Sequence, residues 1–229
     1  MEVRGLELSL ESAAGRVDIL RGIDFTVARG EAVGVLGPSG SGKSSLLSVV
    51  AGLERPTGGT VSVLGQPLAD LDEDALAQFR SQRLGVVFQA FHLIPTMTVL
   101  ENAALPLELA NAPGAFDLAA DQLRAVGLGD KLDRFPHQLS GGEQQRAAVA
   151  RAVVHDPALL LADEPTGSLD RASGARVADL LFALQAERGA AMVLITHDAG
   201  LAGRCARIVE MADGRIAETA AAAAAIPAE

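Results

Sequence analysis

The chain has 229 residues, 49% of them hydrophobic, and a formal net charge of −10, which is enough apolar chain for one globular domain with a full core and too much for a disordered one. The acidic balance excludes non-specific nucleic-acid binding, which needs Lys and Arg to displace phosphate counterions, and no apolar run approaches the roughly 20 residues that span a bilayer. A single cysteine, Cys205, excludes an internal disulfide and reads as a small buried or half-buried apolar residue.

Residues 1–35 and 57–66 read as short strands with turns, the pair Gly58-Gly59 turning the chain between Pro56 and Thr60. Within the first stretch, the apolar run Ala32-Val33-Gly34-Val35-Leu36 suits a buried parallel strand. It leads into Gly37-Pro38-Ser39-Gly40-Ser41-Gly42-Lys43-Ser44, which fits the phosphate-loop pattern G-x-x-x-x-G-K-[ST] without a mismatch. Leu46, Leu47 and Val50 follow at helical spacing, so a helix is expected to start near Lys43. Strand, glycine turn and helix N-terminus together make an anion site. Unpaired backbone N–H groups face the phosphates and the helix dipole favours negative charge. Lys43 is expected on the β- and γ-phosphates and the Ser44 hydroxyl on Mg²⁺, with Ser45 beside them. A bare Gly/Ser-rich turn would not need the strand and helix that flank this one.

The next apolar run, Leu84 to Phe88, ends at Gln89. Phe91, Leu93, Ile94 and Met97 then crowd one stretch of chain. Exposing all four is costly, so they mark either a partner site or part of a helical core. Residues 98–152 read mostly as helix, broken by Pro106, Pro113-Gly114 and Pro136. Leu139-Ser140-Gly141-Gly142-Glu143-Gln144-Gln145-Arg146 reads, taken alone, as a serine-capped helix start with Glu143 completing a capping box. The run Ala158 to Ala162 is a buried strand that delivers Asp163 and Glu164 at its tip, where open α/β sheets bind ligands. Neighbours on a strand point in opposite directions, so the two acids are expected to differ in role. Asp163 would hold the Mg²⁺ shell, and Glu164 would polarise the attacking water as general base. Val177, Leu180, Leu181 and Leu184 mark a core-facing helix. Met192 to Thr196 reads as a strand with His197 after it, whereas His92, His137 and His155 lack such context and read as structural or exposed. Asp213-Gly214 is a hairpin signal, and 220–229 form an Ala-rich low-complexity tail with no assigned role.

The phosphate loop, the Asp163-Glu164 strand end and the Leu139–Arg146 segment, in that order, resemble an ABC-type ATPase subunit over about residues 3 to 218. The serine-glycine-glycine segment is the most specific element, since other phosphate-loop ATPases and kinases lack it. The resemblance implies an α/β phosphate-loop core with an antiparallel β subdomain and a helical subdomain at about 90–152, all within one domain spanning 1–219. It implies that Ser140, Gly141 and Gly142 cap the nucleotide of an opposite protomer in an ATP-dependent head-to-tail homodimer. It further implies that Gln89 is a ligand to Mg²⁺ and the water, that Ser168-Leu169-Asp170 crosses the dimer interface, and that His197 contacts the γ-phosphate. Relatives often stack an aromatic on adenine. This chain has no Tyr or Trp, and Leu10 is the nearest candidate. ATP is the expected nucleotide, held without an aromatic stacking worth about 1 kcal/mol, with GTP an alternative to test.

Without a membrane span, a transport role needs a separate integral-membrane permease, and the resemblance puts its docking helix beside 91–102. The chain is then expected in the cytoplasm, peripheral on the inner face of the membrane; no leader of basic and apolar residues opens it. The 91–102 stretch and Ala162-Asp163-Glu164-Pro165-Thr166-Gly167 resemble most the lipoprotein-releasing, macrolide-export and YbbA-type subfamily, and within it Leu93-Ile94-Pro95-Thr96 and Glu143-Gln144-Gln145-Arg146 resemble most the YbbA type. That likeness implies a lipophilic or lipid-linked cargo. The rival expectation is an ATPase that signals or works mechanically across the membrane without cargo. A soluble relative in DNA repair or translation would carry coiled coils or two ATPase units, and a small-molecule kinase would leave 139–146 unexplained.

Overall fold

The computed structural model describes residues 1–12 and 15–218, so the Ala-rich tail expected at 220–229 lies outside the described residues. In chain order the elements are β1 (Glu2–Ser12), β2 (Gly15–Thr26), β3 (Ala32–Leu36), α1 (Lys43–Val50), β4 (Gly58–Val63), β5 (Gln66–Pro67), α2 (Glu73–Arg83) and β6 (Leu84–Val87). There follow α3 (Val99–Leu109), α4 (Ala115–Ala125), α5 (Gly141–Val153), β7 (Leu159–Asp163), α6 (Arg171–Arg188), β8 (Ala191–Thr196), α7 (Ala199–Ala202), β9 (Arg207–Ala212) and β10 (Arg215–Glu218). They build two sheets. One is antiparallel, in the order β2-β1-β4-β5; the other runs β10-β9-β3-β8-β7-β6. In the second sheet β9, β3, β8, β7 and β6 are parallel, and β10 folds back on β9 through the expected Asp213-Gly214 turn.

Both faces of the parallel sheet are covered, which is why its strands read as unbroken apolar runs. Alternate residues serve different cores. Val33, Val35, Leu159, Leu161, Val193 and Ile195 pack with α1 and the antiparallel sheet. Leu160, Ala162, Met192 and Leu194 pack with α5 and α6, including the anticipated Val177, Leu181 and Leu184. A third cluster joins α3, α4 and α5 through Val99, Ala103, Leu123 and Ala147. Cys205 is buried in the second cluster, as its sequence reading has it, and burial pushes its thiol up to about 12.

Several local expectations need correction. The strands at the start are long, with β1 covering 11 residues and β2 covering 12. Gly58 and Gly59 are no turn but the first residues of β4. Pairing of β4 with β1 shifts register between Arg4 and Glu7, and a side chain on Gly59 would run into the carbonyls of Gly5 and Arg4. Glycine there admits a bulge rather than a reversal. Pro106 does not break its helix: α3 continues through it to Leu109. The Ala110 N–H still closes on the Pro106 carbonyl, so one lost donor is absorbed within the last turn. Helix α2 has its Asp72 cap, acids at Glu73 and Asp74 and arginines at its end, but no apolar stripe, because Leu76 is its one buried residue.

The tightest helix-to-sheet contact lies at Gly85 in β6. A Cβ there would meet the Ala152 carbonyl of α5, and Leu160 Cδ2 at 2.7 Å. Gly85→Ala is therefore expected to cost about 1–3 kcal/mol through overpacking. Urea titration reads this as a lower midpoint at unchanged slope; a parental midpoint would mean that α5 can retreat freely.

Candidate active site

Four neighbouring parallel strands, in the spatial order β3, β8, β7, β6, end along one edge. Leu36 lies opposite Thr196, Ile195 opposite Asp163, and Ala162 opposite Val87. The residues that leave these ends are the ones singled out by sequence. They surround a cavity of about 760 Å³ lined by Ser39, Gly40, Gly42, Lys43, Ser44, Ser45, Gln89, Asp163, Glu164, His197 and Ile19. Strand register thus gathers groups from positions 39 to 197 into one site at the edge where parallel sheets bind ligands.

The phosphate loop begins directly at the end of β3. Gly42, with φ 99°, is the N-cap of α1 and has no side chain to satisfy the first helical N–H groups; no acid lies in the first turn. Those free donors and the dipole make an anion seat. Lys43 is buried, and its Nζ donates to the carbonyls of Gly37 and Pro38, each at 2.8 Å. The side chain curls over its own loop.

Asp163 is the last residue of β7, while Glu164 lies past the strand with φ 45°. The expected up-and-down alternation therefore does not separate them: the left-handed step turns Glu164 so that both acids line the same cavity. The step is locked by Glu164 N–H donating to Ile195 O at 2.9 Å and by Gly167 N–H donating to Glu164 O at 3.0 Å. Glu164 Oε1 lies 2.8 Å from His197 Nδ1. Asp163 Oδ1 is buried without a hydrogen-bond partner. Burial pushes the Asp163 carboxyl above its ordinary value, against a hydrogen bond from Ser44 that pulls it down. Across the cavity, the Ser168 hydroxyl donates to the Gln89 carbonyl at 2.9 Å.

Ser140, Gly141 and Gly142 are not brought to this cavity. Ser140 is the N-cap of α5, and its capping box with Glu143 forms as the sequence predicts. Ser140 and Gly142 line a separate cleft with Glu143, Arg146, Ser173 and Arg176. Asp170 caps α6, its carboxylate accepting from Ala172 and Ser173 N–H at 3.0 Å each. Leu10 is 45% exposed and is not among the cavity-lining residues. It pairs with Val17 towards the end of the β1–β2 hairpin, whereas Ile19, unremarked in sequence, supplies the apolar wall. His155 is a structural residue, bonded to Leu84 O at 3.0 Å, and His92 and His137 are exposed.

Two further residues support the site: Gln145, inside the Leu139–Arg146 segment but given no role of its own there, and Arg151, which belongs to no motif. Gln145 is fully buried, and its amide donates to Phe88 O at 3.1 Å and to Pro165 O at 2.7 Å. It therefore ties α5 to the residue before Gln89 and to the residue after Glu164. Its signal was a polar residue on the face of α5 shared with Ala148, Val149 and Ala152, all buried. Arg151, one turn and a half further on, donates to the carbonyls of His92 and Phe91 at 2.6 and 2.9 Å. Both of those residues have positive φ, a conformation that needs such support.

Comparison with known proteins agrees with this geometry. Residues 20–167 match the sequence profile of the ABC transporter family. The chain is 46% identical over 222 residues to an ABC transporter ATP-binding protein YbbA of Escherichia coli (strain K12), described as uncharacterised, covering 96% of this chain and 97% of that one. It is equally 46% identical over 222 residues to the lipoprotein-releasing system ATP-binding protein LolD 1 of Caulobacter vibrioides, covering 94% of each. The dimeric structure of MJ0796, a bacterial ABC transporter cassette, superposes with a TM-score of 0.90 at 35% identity over 96% of this chain and 98% of that chain. A second MJ0796 structure, a dimeric post-hydrolysis state bound to ADP and Pi, gives 0.89. The phosphate loop, the paired acids and the serine-capped α5 thus sit in the cassette fold, and the chain belongs to the ABC transporter family as an ATP-binding ATPase subunit.

Proposed function

We propose that this subunit hydrolyses ATP as one half of a head-to-tail homodimer and drives a separate membrane permease that exports or extracts a lipophilic or lipid-linked substrate. One observation carries the reading. Lys43, Ser44, Gln89, Asp163, Glu164 and His197 share a cavity, while Ser140 and Gly142 open on a different cleft. The site is half-built in one chain, and a second copy turned head to tail would bring the missing helix end. The dimeric MJ0796 cassettes support that arrangement, and the lipoprotein-releasing relative supports the cargo class.

In this reading the N–H groups of residues 39–45 and the Lys43 ammonium hold the β- and γ-phosphates. Ile19 gives the base an aliphatic wall. Glu164 accepts a proton from the attacking water as its oxygen bonds to the γ-phosphorus and the bond to the ADP oxygen breaks. His197, already bonded to Glu164, orients that carboxylate and reaches the γ-phosphate. The donor set also fits Mg²⁺, a hard cation that takes oxygen ligands. Ser44, Gln89 and Asp163 would hold it, and the buried Asp163 Oδ1, which no protein group satisfies, suits that role. When bound, the ion neutralises phosphate charge.

The permease would dock beside residues 91–102. Phe91, Leu93, Ile94 and Met97 are all half-buried, and Leu93 also packs on the helical core. The loop is held firm by Asn102, whose amide donates to the carbonyls of Ile94, Met97 and Thr98 at 2.9 to 3.1 Å. Through that permease the subunit would sit on the inner face of the cell membrane, with residues 1–219 acting as one ABC domain.

Glu164→Gln keeps the shape of the side chain and removes its basicity. It is expected to bind ATP within a few-fold of the parent, to lose turnover by roughly 10²-fold or more, and to accumulate as a dimer in Mg-ATP by size-exclusion chromatography. Parental turnover would remove Glu164 from the role of base. Ser140→Arg should leave nucleotide binding in each half-site intact and prevent dimer closure; an unchanged ATP-dependent dimer would remove the signature from the partner's site. A membrane pull-down with the Glu164→Gln protein tests the permease. Recovery of one multi-span protein with a large extracytoplasmic domain is the expected result, and recovery of ribosomes or repair proteins overturns the transport reading.

A further inference from the structure

The two helix ends that a nucleotide would meet are built differently. α1 has no acid in its first turn. α5 has Glu143 there, and its carboxylate is engaged directly with the capping serine. Glu143 Oε2 accepts from Ser140 N–H at 2.8 Å and from the Ser140 hydroxyl at 2.9 Å. A carboxylate in this place stabilises α5, because it answers the free N–H groups and the dipole. The same negative charge opposes the approach of a triphosphate to the same helix end.

Lys131 resolves this conflict. It lies outside α5, in the turn after α4, where its N–H donates to Leu128 O at 3.0 Å and its carbonyl accepts from Arg134 N–H at 3.0 Å. Its ammonium reaches Glu143 Oε1 at 2.7 Å, with 31% and 20% of the two side chains exposed. The two oxygens of Glu143 are thereby divided: one serves the cap, the other the lysine. Lys131 and the Ser140 bonds hold the Glu143 carboxyl down at about 2, so it stays charged across the whole working range of pH. Arg146 and Arg176 line the same cleft but direct hydrogen bonds elsewhere, to Val126 O and the Ser173 hydroxyl.

We propose that Lys131 is a positioning residue for ATP-driven closure, masking the Glu143 charge so that the N-terminus of α5 can accept the γ-phosphate held by the partner protomer. This rests on the two-protomer reading above. The mask matters only while residue 143 is an acid. A neutral glutamine at 143 needs no counter-ion, so Lys131 should become dispensable beside it.

The test is a double-mutant cycle in the Glu164→Gln background, with dimer formation followed against Mg-ATP concentration by size-exclusion chromatography and light scattering. Lys131→Met is expected to raise the ATP needed for half-maximal dimer by about tenfold or more, the scale of close charge pairs at interfaces. Its affinity for a fluorescent ATP analogue as a monomer should match the parent. Lys131→Arg, which keeps the charge, should behave as the parent. In the Glu143→Gln background, adding Lys131→Met should change dimerisation less than about twofold. A purely structural role for Lys131 would weaken dimerisation equally in both backgrounds, and that result overturns the proposal, as does an unchanged dimer in Lys131→Met. Ser140→Arg runs alongside. If it still dimerises with ATP, the two-protomer reading has failed; if it does not and Lys131→Met does as the parent does, only the role of Lys131 has failed. Should Lys131→Met not fold, the Lys131→Gln variant carries the same comparison.

Discussion

Register across β3, β8, β7 and β6 sets where Lys43, Ser44, Gln89, Asp163, Glu164 and His197 come together. Each strand contributes one turn of chain at its end, and the hydrogen-bond ladder places those turns beside one another at the spacing of neighbouring strands. A slip of one residue in any strand would exchange its two faces, moving Leu160 and Leu161 between separate cores. The burial of both faces is therefore what protects the site, although most core side chains lie away from it. The shape of the cavity is a by-product of packing that the whole sheet enforces.

The second organising feature is α5. It is capped by Ser140, meets the cavity edge of the sheet at Gln145, braces the 91–92 bend through Arg151, and closes against β6 at Gly85. One helix thus touches the signature cleft, both acid-bearing and glutamine-bearing strand ends, and the proposed permease face. Few buried side chains do more than Gln145, whose two donated bonds reach across 57 and 20 residues of sequence.

Much of this was legible in the sequence, for identifiable reasons. Parallel strands covered on both faces leave unbroken apolar runs, so β3, β7 and β8 could be read directly, along with the residues at their ends. The phosphate loop and the Ser140–Glu143 box are local motifs whose backbone needs are fixed by spacing. What was not legible depended on distant partners. Gly58-Gly59 looks like a turn until the bulge in β1 is known. Pro106 looks like a break until it is seen to fall one turn from the helix end. The left-handed step at Glu164 is invisible in a run of strand residues, because it is imposed by Ile195 and Gly167. Leu10, the nearest candidate by its place in the chain, lies along the long β1–β2 hairpin away from the cavity residues, among which Ile19 stands. Helix α2, with one buried side chain, offered no stripe to read.

The seat of Gln145 has a mechanical meaning. Its amide nitrogen satisfies two carbonyls from different strand ends, while its own oxygen is buried without a partner. Tilting α5 away from the sheet strips donors from the buried Pro165 carbonyl and the partly buried Phe88 carbonyl together, and a buried acceptor left bare costs about 1–3 kcal/mol. Small tilts are therefore resisted, and a tilt wide enough to admit water at the vacated carbonyls relieves the cost. Motion of the helical region against the nucleotide core should proceed as a snap between two seatings rather than as a continuous sway.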